Sequence, residues 1–222
     1  MGPKGRADAL ELSTGGRTNP LVKLRQLLDR IGGWFPRNTR SEAVTTRIWL
    51  KASPEAVWRV LRFYEDIPKR PGPVLLALLP RPLRSEGEKT RVGATVRCQY
   101  DGGHLVKRIT VSERGRLLRF DVLEQQLGIE RLVSMGEGAY ALRPEGQGTE
   151  VLLTTHYRGH LRPRALFRPF ERLLAHRVHR HILRGMKTLL WKSEHPNALA
   201  VAEPHRLVRV AHTSEDAGPP AA

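Results

Sequence analysis

Cysteine is all but missing from this chain of 222 residues: Cys98 is the only one. An intramolecular disulfide is therefore excluded, and nothing points to an oxidising compartment. A lone cysteine in a strand is more often a small buried filler than a nucleophile, and Cys98 is read that way. Long apolar runs are missing too. The longest, Val74 to Leu79, is far below the roughly 20 residues needed to span a bilayer. The opening MGPKGRADALELSTGG lacks the apolar stretch of a secretory signal, so the expected location is cytoplasmic. Acidic residues are in deficit, 22 against 38 Lys and Arg, which gives a formal charge of +16 and a pI near 11.0. That balance predicts attraction to anionic surfaces without choosing between nucleic acid and acidic lipid. No repeat of fixed period is present. Hydrophobic residues at 40% and charged residues at 27% are proportions that argue against wholesale disorder, and the length suits one core.

Residues 1–18, rich in Gly and charge, have no periodicity that could bury a face and are expected to be disordered. Pro20 after Asn19 then suits a helix start. Leu21, Leu24, Leu27, Leu28 and Ile31 follow three-to-four spacing until Gly32 and Gly33 end the run. This short amphipathic helix carries Lys23, Arg25 and Arg30 and is followed by Trp34 and Phe35. It could lie on an acidic membrane; packing of its leucines on the domain or on another chain is the preferred reading.

Val44 to Lys51 alternates as a strand should. Ser53, Pro54 and Glu55 supply a hydroxyl cap, a proline where no donor is needed and an acid near the positive helix end, predicting a helix to about Tyr64. Five prolines between Pro68 and Pro82 break up the next stretch, leaving a short helical turn around Val74 to Leu79. From Arg91 to Tyr157 the period becomes two. Strands are expected at 94–100, 104–113, 117–124, 129–142 and 149–158, joined by turns short enough to make an antiparallel meander. After Pro163 a long helical pattern places Phe167, Leu174, Val178, Ile182, Gly185 and Leu189 on one face, with Arg172, His176, Arg180, Arg184 and Lys187 opposite. Beyond Trp191 the proline-rich chain reads as a mobile tail, in which Leu207 to Val210 could add a few extended residues.

This order of elements is the layout of the helix-grip fold. ASPEAVWRVLRFYEDIP resembles the first-helix signature of the START-like (SRPBCC) superfamily, in which a small residue and proline precede a Val-Trp pair. GRLLRFDV is similar to that superfamily's middle strand, and GAYALRPEGQGTEVLLTTHY to its paired late strands around a Gly-Thr turn. The resemblance covers about two thirds of the chain. It implies an α+β helix-grip domain at residues 43–192, a curved antiparallel sheet of about six or seven strands wrapped around the long helix, flanked by 1–42 and by the tail 193–222. The superfamily contains lipid and sterol carriers, ubiquinone-binding proteins and polyketide cyclases and dehydrases. It carries no shared catalytic triad or cofactor fingerprint, so fold does not become activity. What the resemblance implies is a mainly apolar cavity between sheet and helix, with a few polar groups to orient a ligand.

Period two assigns inward side chains only up to a choice of register. The more apolar sets are Cys98 with Tyr100, Phe120 with Leu118 and Val122, Met135 with Val133, and Tyr157 with Val151 and Leu153, and these are expected to face the ligand. From the long helix His181, close to the predicted buried face, is the polar group assigned to the cavity. The competing reading is a histidine hydrogen-bonded in the helix-to-sheet contact with no ligand. Gly185 costs the helix roughly 1 kcal/mol, which close packing or cavity space would explain. His176, His179 and His181 do not share a face, which speaks against a metal site, and no cofactor is expected. No acid with an evident base partner marks a catalytic pair.

Between Arg162 and Lys192 stand nine Lys or Arg and one acid, Glu171. This stripe lacks the interleaved aromatics of single-strand binders, so nucleic acid is disfavoured. Acidic lipid head groups fit a carrier of apolar molecules better, and a solvated helix face is the plainest reading. The sequence leaves three functions open: a binding or carrier module for a lipid, isoprenoid or polyketide; a cyclase or dehydrase-like enzyme in which His181 or Tyr157 moves a proton; and attachment to an anionic surface. Oligomeric state is not legible.

Overall fold

The computed structural model of the protein describes residues 40–195 together with Leu27 and Arg30. Those two residues are helical and exposed, in the span where the amphipathic helix is expected. The rest of that segment, Trp34, Phe35 and the tail with Leu207 to Val210 lie outside the described residues.

Strand β1 (Glu42–Leu50) buries Val44 and Leu50. The Ser53 hydroxyl then accepts the Ala56 backbone N–H at 3.3 Å, capping helix α1 (Pro54–Arg59) as the sequence predicts. The helix is shorter than expected. After Arg59 the chain runs to a separate 3₁₀ turn at Tyr64–Asp66, and the Tyr140 hydroxyl donates to the Arg62 carbonyl at 2.8 Å, tying this linker to the sheet.

Helix α2 (Pro73–Leu78) is the expected helical turn. A strand that the prolines concealed comes after it, β2 (Pro82–Glu86), at the edge of the sheet. An edge strand that begins on proline loses no ladder bond that a central strand would need. Strands β3 (Thr95–Tyr100), β4 (Gly103–Glu113), β5 (Leu117–Gln126), β6 (Val133–Glu145) and β7 (Gly148–Gly159) form the meander. Strand β6 starts at Val133, and not at Ile129, because the Leu132 and Val133 N–H groups both donate to the Ile129 carbonyl and close a turn there. The seven strands are ordered β1-β7-β6-β5-β4-β3-β2, with every neighbour antiparallel, so the first strand pairs with the last. Register shifts interrupt β4/β5 and, between Met135 and Gly138, β6/β7. Such irregularities bend strands, and here they let the sheet curl.

Helix α3 (Arg164–Glu194) lies across the concave face. Its 31 residues span about 46 Å at 1.5 Å per residue. The start of the helix is fastened by charge: Arg164 reaches Glu42 at 2.6 Å and Glu171 at 2.7 Å, and Arg168 reaches Glu42 at 2.7 Å. Those two guanidinium groups outweigh the partial burial of Glu42 and hold its carboxyl below the usual range. Further along, Ile182, Leu183, Met186 and Leu190 enter the core. Gly185 is there for packing: a Cβ at that position would lie 2.6 Å from Cγ2 of Ile67. The cost to helix propensity therefore secures contact with the segment that carries Glu65.

Candidate functional site

Between sheet and α3 the side chains do not meet everywhere, and a cavity of about 180 Å³ remains. For comparison, an apolar cavity of about 150 Å³ accepts a benzene ring. Strands β4, β5 and β7 supply Leu105, Phe120, Val122 and Leu153 to its wall, and the helix supplies Leu174, Val178 and Ile182. Gly138 lies directly opposite Phe120 in the β5/β6 ladder. A Cβ at Gly138 would overlap the Phe120 ring, so the glycine is what seats that ring against the sheet. Phe120 in turn meets Phe63 edge-on, with centroids 5.1 Å apart.

At one end of the cavity stands a charged cluster. Lys107 projects from β4 on the same face as Leu105 and Ile109 and is only 5% exposed; Glu65, from the 3₁₀ turn, is 6% exposed. The Lys107 ammonium donates to both carboxylate oxygens of Glu65, at 3.2 and 3.1 Å, and the Tyr100 hydroxyl donates to Glu65 Oε1. Above the Phe63 ring the ammonium sits 4.3 Å from the centroid, and 5.3 Å from that of Phe120. Burial alone would strip Lys107 of its proton, but the Glu65 charge outweighs burial and raises the lysine above its ordinary pKa. Lys107 is thus a cation and not a free amine nucleophile. Burial, then Glu65, pushes the Tyr100 hydroxyl well above its usual range.

The other polar group of the wall is built on α3 and β7. His179, 3% exposed, bonds Thr155 Oγ1 through Nε2 at 2.9 Å and Thr46 Oγ1 through Nδ1 at 3.0 Å. Burial, with a smaller contribution from His176, lowers its pKa to about 4, so the ring is neutral at pH 7. Tyr157 lies two residues beyond Thr155 on the same strand face; its hydroxyl is buried and has no hydrogen-bond partner among the described residues. Burial, then Glu42 and Glu171, raises the Tyr157 phenol to about 12. Tyr64 is at the wall too, and its hydroxyl is likewise buried without a partner among the described residues.

Of the residues assigned to the cavity from sequence, Tyr100, Phe120, Met135 and Tyr157 line it. Cys98 faces the same side of β3 but is sealed in the core beneath the wall, and burial pushes its thiol to about 12, so it is no thiolate. His181 is a correction. It does not reach the wall; its ring packs edge-on against Tyr64 with centroids 5.6 Å apart. Ring burial, and to a lesser degree Lys69, lowers its pKa. The buried arc of α3 centres on His179, Ile182 and Met186, whereas the apolar residues alone place it nearer Val178. His176, expected in solvent, is only half-exposed and bonds Thr46 Oγ1 at 2.7 Å. The buried ion pair of Glu65 and Lys107 is a feature the sequence did not suggest. One trace of the lysine was present: Leu105, Lys107, Ile109 and Val111 form the more apolar phase of β4, interrupted by that single charge. Nothing local marks Glu65.

Residues 41–190 match the family described as polyketide cyclase / dehydrase and lipid transport. The chain belongs to that family. No curated protein matches it. Among solved structures, the family member is similar to the Zhui aromatase/cyclase from Streptomyces sp. R1128, with 16% identity, a TM-score of 0.51, and 70% of this chain and 96% of that one covered. TTHA0849 from Thermus thermophilus is 18% identical, with a TM-score of 0.48 over 68% of this chain and 99% of the other. Major latex-like protein 151 from Panax ginseng is 10% identical, with a TM-score of 0.45 over 67% and 96%. At these identities the likeness to Zhui concerns the fold alone. The family assignment carries hydrophobic ligand binding or cyclase-like activity in general, and the residues of the cavity must supply anything finer.

Proposed function

We propose that this protein binds, and carries, a small hydrophobic molecule bearing an oxygen function, held between sheet and α3. The observation that supports this best is a cavity with apolar walls and polar groups confined to a few places: the Lys107–Glu65–Tyr100 cluster and the Thr155–Tyr157 face. Apolar walls supply the driving force for uptake, and sparse buried polar groups supply orientation. An aromatic or isoprenoid-like ring system matches the Phe63 and Phe120 walls. Cys98 remains a buried free thiol, which suits a reducing, cytoplasmic setting.

Titration calorimetry with 2-naphthol tests the reading. The expected result is saturable binding with a negative heat-capacity change, the mark of apolar burial. Ala175→Trp, which fills the cavity from α3, should weaken that binding at least about tenfold, or 1.4 kcal/mol. Absence of binding by 2-naphthol and by larger apolar probes would overturn the proposal.

A second reading has its own observation. Leu166, Phe170 and Leu173, one turn apart on the outer face of α3, are 66, 40 and 48% exposed, and Arg177, Arg180, Arg184 and Lys187 continue that face. Apolar side chains beside a basic row suit the interface of an anionic bilayer, where a carrier of apolar cargo would load. No helix among the described residues is long and apolar enough to cross a membrane. Sedimentation with vesicles should show binding to phosphatidylserine-containing but not to phosphatidylcholine vesicles, weakened by salt and lost in Phe170→Glu. Equal indifference to both vesicles would remove this reading.

A further inference from the structure

Thr46, on β1, lies between two histidines one turn apart on α3. Its Oγ1 is 2.7 Å from His176 Nδ1 and 3.0 Å from His179 Nδ1, and on the far side His179 Nε2 is 2.9 Å from Thr155 Oγ1. His176 is half-exposed on the helix, while His179 and Thr155 are at the cavity wall. A hydroxyl has one proton to give, so Thr46 can donate to only one of the two rings, and the other ring must donate to it. A neutral imidazole likewise donates from one nitrogen and accepts at the other. These constraints couple all four groups. When the Thr46 hydroxyl donates to one of the two rings, the chain points outward (Thr155 to His179 to Thr46 to His176) or inward (the reverse).

We propose that Thr155, His179, Thr46 and His176 are a proton path between the cavity and solvent, serving an ionisable or enolisable oxygen of the bound molecule, such as a phenol or an enol. This rests on the reading that the cavity takes such a molecule. With the chain pointing outward, the ligand O–H gives its proton to Thr155 Oγ1 as Thr155 gives its own to His179 Nε2. The His179 Nδ1 proton passes to Thr46, and the Thr46 proton passes to His176 Nδ1. His176 then releases its Nε2 proton to water. One proton has left the ligand, water has gained one, and the chain now points inward, set to return a proton.

The surroundings favour transfer over trapping. Burial and His176 keep His179 neutral; burial, then Arg180 and Arg172, lower His176. Neither ring therefore holds a second proton near pH 7. Tyr157, on the same strand face as Thr155, also lines the cavity.

A purely structural network would satisfy the same hydrogen bonds without moving protons, and exchange kinetics separate the two. In the full-length, ligand-free protein, saturation transfer from water to the His179 ring N–H and the Thr155 hydroxyl proton should reveal exchange faster than that of the neighbouring α3 backbone amides. Thr46→Val, which keeps the shape and removes the hydroxyl, should slow both protons at least about tenfold while amide exchange stays unchanged. His176→Phe should do the same, and it decides the matter if Thr46→Val fails to fold. Unchanged exchange in the variants, or wild-type ring exchange no faster than the amides, overturns the path. Because no ligand is involved, failure to bind 2-naphthol would count against the binding proposal and leave the path's own result standing.

Discussion

Replacing Lys107 by methionine is expected to lower the stability of this protein by about 3–5 kcal/mol, because it leaves the buried Glu65 carboxylate without its cation. Tyr100 would remain as a donor, but a hydroxyl does not neutralise a charge in a low-dielectric interior. Against a typical total of about 5–15 kcal/mol, such a loss is a large part of what holds the domain together. Urea denaturation followed by circular dichroism measures it directly. The double variant Glu65→Leu, Lys107→Met should recover most of the loss, since apolar residues of similar volume commonly replace a buried ion pair at no net cost. Recovery of the fold without recovery of 2-naphthol binding would assign the pair to recognition, at the expense of stability. A single-variant loss below about 1 kcal/mol, the worth of an exposed pair, would contradict the burial of this one.

The second large effect is a dependence of stability on pH below neutrality. His179 titrates near 4 in the folded protein because burial opposes its charged form, and near 6.5 once the chain is unfolded. Its folded pKa is the lower one, so the unfolded state binds the proton more readily, and stability rises with pH between those values. The contribution is fully present above about 6.5 and is lost as pH falls, reaching about 3 kcal/mol near pH 4. His176 and His181, also lowered, act in the same direction. Denaturant midpoints from pH 7 to pH 4 should therefore fall steeply in the wild type and less steeply in His179→Leu, even though that variant is less stable at pH 7. Parallel profiles would show that His179 is not a buried neutral ring.

The element order was legible because its causes are local. Ser53 and Pro54 start a helix wherever they occur in such a setting, and the strands between Thr95 and Gly159 alternate in a way that permits one buried face. Locality also set the limit. Pro80 and Pro82 read as breakers because the sequence does not reveal that β2 is an edge strand. The apolar residues of α3 alone point to His181, while the actual contact face includes His179, whose two nitrogens are satisfied by Thr46 and Thr155, more than a hundred and about two dozen residues away in sequence. Tyr100, Phe120, Met135 and Tyr157 reached the cavity wall because alternation, once a register is chosen, carries along a whole strand.

The antiparallel meander, the capped first helix, the long closing helix and the apolar inner faces follow from local residue patterns, since each is a matter of neighbours within one element. Which polar groups those faces enclose depends on the packing of distant segments. Glu65 meets Lys107 across 42 positions, and His179 meets Thr46 across 133. Whether a charge or an imidazole is buried, paired and shifted in pKa depends on atoms brought together from distant parts of the chain, and no local pattern carries that information.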